Sequence, residues 1–272
     1  MNMTTPLPTP KELVRTSREH YGHGTAHALQ PGGRVVEPKK RGSDLWDNLQ
    51  LVLPDARALA TRGAPLVDYY RDHPAAKAFD LLRTRLMQAL RQHGWTRIAV
   101  VAPTTGCGAT FTAVNLALSL ARVPGSRTLL ADLDQRKPGV APALGLEGEW
   151  RIDNFLSARC LPEDHLIRCS DTLALALNTE TNLNASEQLH DSITTAVLED
   201  TEEELAPDVV LYDLPAMLEY DDLAAFLPHL DGVLLVADAT RTTKARIEEC
   251  ERILDGQTPL LGVVLNRGRD AA

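Results

Sequence analysis

The sequence is short of several things that would place it quickly. Its 272 residues hold four cysteines, Cys107, Cys160, Cys169 and Cys250, too few for a disulfide scaffold. No pair of them has metal-ligand spacing. No apolar run approaches the ~18–20 residues that a membrane-spanning helix needs. The start, MNMTTPLPTP, lacks a basic stretch followed by an apolar core, so no secretory signal is expected. There is no repeat in the range of solenoids and propellers. An excess of positive charge is also missing: the formal net charge is −9. That argues against non-specific nucleic-acid binding and predicts no nucleic-acid partner. Together these absences predict a protein of the reducing cytoplasm without a transmembrane segment. At 44% hydrophobic it has enough apolar residues to fold, which excludes a fully disordered chain.

The charge is unevenly spread. Residues 1–73 carry 10 basic and 8 acidic residues, net +2, whereas residues 74–272 carry 18 and 29, net −11. The first segment contains PLPTP, PGGR and EPKKRG and few long apolar runs. It reads as an N-terminal arm, largely flexible, over residues 1–73. One helical piece is expected at Asp44–Leu53, where Leu45, Trp46, Leu49 and Leu53 recur at helical spacing and would dock on the body. His20, His23 and His27 in the arm do not read as a metal site, and Tyr69–Tyr70 reads as an ordinary surface pair.

From residue 74 to 272 the pattern is regular. A helix is expected over Ala75–Gln92, with Phe79, Leu82, Leu86 and Leu90 on one face. Six short apolar runs read as strands: Arg97–Ala102, Arg127–Ala131, Thr172–Leu177, Asp208–Tyr212, Gly232–Ala237 and Leu260–Leu265. Helical stretches lie at Thr110–Arg122, Ala185–Glu204, Tyr220–Leu227 and Thr242–Leu254. Apolar strands alternating with helices predict an α/β domain with a doubly wound, mostly parallel sheet. Such sheets bind ligands beyond the carboxyl ends of their strands. Five polar segments should meet there: Thr104–Thr110, Asp132–Lys137, Asp213–Pro215, Asp238–Arg241 and Asn266–Arg267.

Three of these segments carry recognisable chemistry. A phosphate-binding loop reads G-x-x-x-x-G-K-[ST]. In APTTGCGAT, Gly108 holds the second glycine position and Thr110 the magnesium-ligand position. Pro103 stands for the first glycine and Ala109 for the lysine. Backbone N–H groups and a helix N-terminus can still face an anion, but the long-stemmed cation is gone. Cys107 in this loop reads as a small loop residue rather than a redox sensor. The run LLADLDQRKP ends a strand in Asp132 and Asp134, followed by Arg136 and Lys137. Carboxylates beside a phosphate loop suit coordination of Mg²⁺ water or positioning of a nucleophile. VVLYDLP ends a third strand in Asp213, as in a Walker B segment. Glu202–Glu204 reads as a solvated helix end.

Taken in order, these segments resemble the bacterial tyrosine autokinases of capsule and exopolysaccharide biosynthesis. Those kinases are relatives of the partitioning and cell-division ATPases with deviant Walker motifs. DLDQRKP resembles that family's second acidic motif at Asp132, Asp134, Arg136 and Pro138. YDLPA resembles its D-x-P-P motif at Asp213 and Pro215. NLALSLA at Asn115–Ala121 and GVVLNR at Gly262–Arg267 fall in the same order. The resemblance covers roughly Ala75–Arg267 and implies a P-loop NTPase-like fold. It implies catalytic roles for Asp132, Asp134 and Arg136. For ATP or ADP it implies contacts at Gly106, Cys107, Gly108, Ala109, Thr110, Phe111, Asn266 and Arg267, and for Mg²⁺ at Thr110, Asp134 and Asp213. The implied partner is a membrane-anchored polysaccharide chain-length regulator, which would place a cytoplasmic protein at the inner face of the membrane. A mixed assembly with an active kinase paralogue is a further implied partner.

The departures matter as much. Ala109 replaces the loop lysine, and no tyrosine follows Tyr220 where the family carries a tyrosine cluster. The ring-forming charges of the family correspond to Lys77, Asp80 and Arg83, two of them reversed. Three readings follow. The first is a degenerate, kinase-like regulatory component of exopolysaccharide or capsule export. The second is an active kinase or ATPase using a non-standard cation, with Arg136 or Lys137 as substitutes. The third is an interaction module independent of nucleotide.

Overall fold

The computed structural model describes residues 34–36, 45–54, 67 and 73–268. Most of the expected arm lies outside the described residues, including His20, His23, His27, Tyr69 and Tyr70. The fold is α/β and doubly wound around one nine-stranded sheet. Its strands are β1 (Arg34–Val36), β2 (Gln50–Leu53), β3 (Arg97–Val101), β4 (Thr128–Asp132), β5 (Ile167–Arg168), β6 (Leu173–Ala176), β7 (Val209–Asp213), β8 (Gly232–Asp238) and β9 (Leu260–Asn266). They lie in the order β1-β2-β5-β6-β4-β7-β3-β8-β9. The six strands expected from the sequence are β3, β4 and β6 to β9, and these pair in parallel. The antiparallel pairs, β5 with β6 and β1 with β2, extend one edge.

Burial explains why those six were readable. Along β3, Ile98 and Val100 pack on one face, while Ala99 and Val101 pack on the other. Every residue of β4, β7 and β8 is buried. A strand covered on both faces must be apolar throughout, and that is what the runs report. Helix α1 (Pro74–His93) begins where His73 accepts a hydrogen bond from the Ala75 N–H, with proline at the first helical position. It ends at Gly94 with φ +69°, a left-handed cap that glycine adopts without strain. Its buried face is Ala76, Phe79, Leu86 and Leu90. The other long helices are α2 (Ala109–Ala121), α3 (Ser192–Leu205) and α4 (Lys244–Leu254).

The structure revises three local expectations. Asp44–Leu53 is not one helix: Leu45–Asn48 forms a single turn, and Gln50–Leu53 becomes β2, parallel to β5. Leu45, Trp46 and Leu49 are buried, so the apolar spacing reports packing on the body. Ala185–Glu204 breaks at Asp191, which accepts from the Ile193 N–H and starts α3 afresh. Glu202 is not a solvated helix end. Its carboxylate pairs with Arg97 at 2.7 Å and accepts a short hydrogen bond from the Tyr212 hydroxyl.

Candidate functional site

Parallel pairing aligns the carboxyl ends of β3, β4, β7, β8 and β9 along one edge of the sheet. The loop after β3 crosses this edge and enters α2 at Ala109. Met217 and Leu218, which follow β7, donate backbone hydrogen bonds to the carbonyls of Ala102 (2.9 Å) and Pro103 (3.2 Å). Gly106 and Gly108 have φ +84° and +96°, where a side chain would be strained. A Cβ on Gly108 would also collide with the Asn266 amide, which donates to the Cys107 carbonyl at 2.8 Å. Thr105 donates through its N–H (3.1 Å) and its hydroxyl (2.6 Å) to the Glu219 carboxylate. The Cys107 thiol is buried between the hydroxyls of Thr104 and Thr242. Burial opposes its ionisation, but those hydroxyls and the Asp238 backbone outweigh it and lower the pKa.

Beneath the loop, Asp132 and Asp213 are direct partners across the β4–β7 pairing, and both are fully buried. One Asp132 oxygen accepts from the N–H groups of Gly139 (3.0 Å) and Val140 (2.9 Å). The other Asp132 oxygen and both Asp213 oxygens lack a well-formed hydrogen bond among the described residues. The Thr110 side chain lies against Gly139 and close enough to Asp213 to favour its charged form. Burial pushes the Asp132 carboxyl up to about 7, against the two N–H bonds that favour its anion. Burial raises Asp213 well above the usual carboxylate range too, and the neighbouring Asp132 adds to that. Asp134 is raised by burial too, although its carboxylate accepts from the N–H groups of Arg136 (3.2 Å) and Lys137 (2.9 Å).

Buried carboxylate oxygens without partners are expensive unless something cationic meets them. No group of three or more His, Cys, Asp or Glu side chains among the described residues is arranged to hold a metal alone. The Asp213 carboxylate with the Thr110 hydroxyl beside it fits a hydrated Mg²⁺ that takes further ligands from water and phosphate.

The other expected site residues divide. Arg136 is engaged by other partners: its guanidinium binds Asp222 at 3.1–3.3 Å and the Leu183 carbonyl at 2.6 Å. Phe111 packs edge-to-face on Phe79 of α1, with centroids 6.2 Å apart. Gly106, Cys107, Gly108, Ala109 and Thr110 form the loop and the start of α2, and Asn266 reaches it. Arg267 extends from the same turn to Asp238 at 2.6 Å. Three contacts were not assigned roles from the sequence: Glu219 on Thr105, Arg241 on the Gly106 carbonyl at 3.0 Å, and Asp238 beneath two arginines. Only position after a strand could have signalled Asp238 and Arg241.

No family model matches the chain. It is 30% identical over 181 residues to the succinoglycan biosynthesis transport protein ExoP of Rhizobium meliloti, covering 62% of this chain and 22% of that one. It is 26% identical over 194 residues to the tyrosine-protein kinase YwqD of Bacillus subtilis, covering 70% of this chain and 80% of that one. The chain therefore spans under a quarter of ExoP. The solved kinase domain of VpsO matches with a TM-score of 0.61 and 26% identity, over 72% of this chain and 98% of that domain. By sequence and by fold, this chain is related to the bacterial tyrosine-kinase domains of exopolysaccharide and capsule export.

Proposed function

We propose that residues 74–272 form a kinase-like domain that holds a Mg²⁺-nucleotide without transferring its phosphate efficiently. The chain then serves as a regulatory component of bacterial exopolysaccharide or capsule synthesis and export. One observation carries this reading: Ala109 opens α2 where the loop lysine belongs, while Thr110, Asp132 and Asp213 remain assembled around it. A single preorganised electrostatic group is worth ~3–4 kcal/mol in a transition state. Arg136, committed to Asp222 and Leu183, is not placed to replace it.

In this reading Thr110, Asp213 and Asp134 hold Mg²⁺, which would neutralise phosphate charge. The loop from Gly106 to Thr110 receives phosphate on its N–H groups, and Asn266 fixes the loop from the β9 side. Asp132 holds the following turn through the N–H groups of Gly139 and Val140. The partners are a membrane-anchored chain-length regulator and an active kinase paralogue, which place the protein at the inner face of the membrane. No helix among the described residues is long and apolar enough to cross a membrane itself.

The test is incubation of the purified chain with Mg-ATP and detection of phosphotyrosine. No phosphotyrosine is expected from the native chain. Transfer to tyrosine that Asp132→Ala abolishes would overturn the reading.

A further inference from the structure

The last strand of the sheet has an open side. β9 ends the strand order and pairs only with β8 among the described residues. It is seven residues long, LLGVVLN, with no charge and no proline. An unpaired row of N–H and C=O groups accepts another strand, and edge strands are normally kept short or charged for that reason. Val263 and Leu265 are 38% and 65% exposed, so two apolar side chains stand uncovered at this edge. On the opposite face a Cβ on Gly262 would meet nothing within 4 Å. The exposed Leu81 of α1 borders the groove beside Val264 and Leu265.

The hydrogen bonds to β8 fix which groups face outward. The Asn266 carbonyl accepts from the Ala239 N–H at 2.9 Å, so the backbone groups of Asn266 face β8. Direction alternates along a strand, so those of Val264 and Gly262 face β8 as well, and those of Val263 and Leu265 face away. The register shift lies earlier, opposite Val233 and Leu234, and leaves this stretch regular. The N–H and C=O of Val263 and of Leu265 therefore point into the open side. They suit an antiparallel strand that offers the same groups two residues apart, and β9 is itself such a strand. With a twofold axis at Val264, Val263 of one copy lies opposite Leu265 of the other, and each of the two pairs exchanges both of its N–H···O bonds. The same register sets the exposed Val263 and Leu265 side chains against each other, apolar on apolar.

Charge selects the direction. Around the amino end of β9, Glu248, Glu251 and Asp255 outnumber Arg252. At its carboxyl end the half-exposed Arg241 and Arg267 share the single carboxylate of Asp238, which leaves a positive surplus. An antiparallel pair brings each acidic end to the basic end of the other copy, whereas a parallel pair would set like charges together. We propose that β9 is a self-association edge: two copies of this chain pair β9 to β9, antiparallel about Val264, into one continuous sheet. The pairing needs no nucleotide. Because β9 runs into Asn266, whose amide holds the Cys107 carbonyl, the interface borders the loop of each copy.

The test is sedimentation equilibrium of the full chain at roughly 50 μM without nucleotide. The native chain should show twice its 29.7 kDa, falling toward one chain on dilution. Leu265→Pro removes an outward N–H and spares the bonds to β8, and by symmetry it deletes two of the four N–H···O bonds between copies. It should weaken association about tenfold or more. A native chain that stays single at that concentration would overturn the proposal, and so would Leu265→Pro associating as the native chain does. A second variant decides the matter if Leu265→Pro folds poorly. Val264→Cys sets two thiols across the axis at a non-hydrogen-bonded pair, where Cα atoms lie ~4.5 Å apart. Under mild oxidation it should form an interchain disulfide about tenfold faster than Glu248→Cys on the surface of α4, and equal rates would overturn the proposal. Hydrogen exchange reveals the other occupant. Protected Val263 and Leu265 amides in a single-chain species would mean that a segment of the same chain covers the edge, which also overturns it.

Discussion

Asp132 and Asp213 hold their charge at a disadvantage, and that has a measurable sign. An acid with a higher pKa in the folded state binds more protons folded than unfolded. Its stabilisation is present at low pH and declines as pH rises from the ordinary value of 3.8 through the folded one, which is about 7 for Asp132 and is likewise raised for Asp213. The slope should be on the order of 1 kcal/mol per pH unit for each group still protonated. His165, buried and lowered to about 4, affects stability only below its ordinary 6.5 and leaves the range above undisturbed. Thermal melting between pH 6.5 and 8 in chelator should therefore show falling stability in the native chain and a flatter profile in Asp213→Asn. Adding Mg²⁺ at pH 8 should raise the native melting temperature and leave that of Asp213→Asn unchanged, because metal ligands act deprotonated. Glu219 gives a second residue-scale outcome. Its carboxylate occupies donors on Thr105 that a bound phosphate would use. Glu219→Gln should tighten Mg-ADP binding by about threefold to tenfold in calorimetric titration.

Among the elements, the six parallel strands were legible because burial on both faces makes them uniformly apolar. Their polar ends were legible because a parallel sheet collects them at one edge. β2 was not, since Leu45, Trp46, Leu49 and Leu53 fit a helical stripe although the chain pairs with β5 after one turn. A four-residue edge strand is specified by its neighbours more than by its own pattern. The break at Asp191 was hidden in a continuous helical pattern, where a capping aspartate is a one-residue signal. Arg136 illustrates the limit at the site. Its place after Asp134 is readable, but its direction depends on Asp222, 86 residues away in sequence. Arg241 and Asp238 form their pair with the loop only once β8 lies beside β3. The packing of residues 45–53 gives an element-scale prediction. Trp46 is 1% exposed, donates to the Asp171 carbonyl at 3.0 Å and lies 4.9 Å from the Arg127 guanidinium. Trp46→Ala should lower unfolding stability by ~3–5 kcal/mol in urea titration. A loss below ~1 kcal/mol would mean that this segment is not part of the body.

At the scale of the whole molecule, the acidic charge at Asp80 on α1 has an internal explanation. Asp80 receives Arg83, Arg122 and the Ser119 hydroxyl, which ties α1 to α2 within one chain. The reversal at Asp80 is thus matched by this chain's own Arg122. The acidic body likewise has a focus. Asp132, Asp134 and Asp213 gather at one sheet edge. That focus suits a polyphosphate bridged by Mg²⁺, while Ala109 withholds the group that would act on the phosphate being transferred. The central claim is that this site holds nucleotide and does not pass its phosphate on. A rapid-quench reaction, with the chain in excess over γ-labelled Mg-ATP, tests it most directly. The label should stay on the nucleotide over the time in which binding is complete. Label appearing on tyrosine in the protein, and lost in Asp132→Ala, would contradict it.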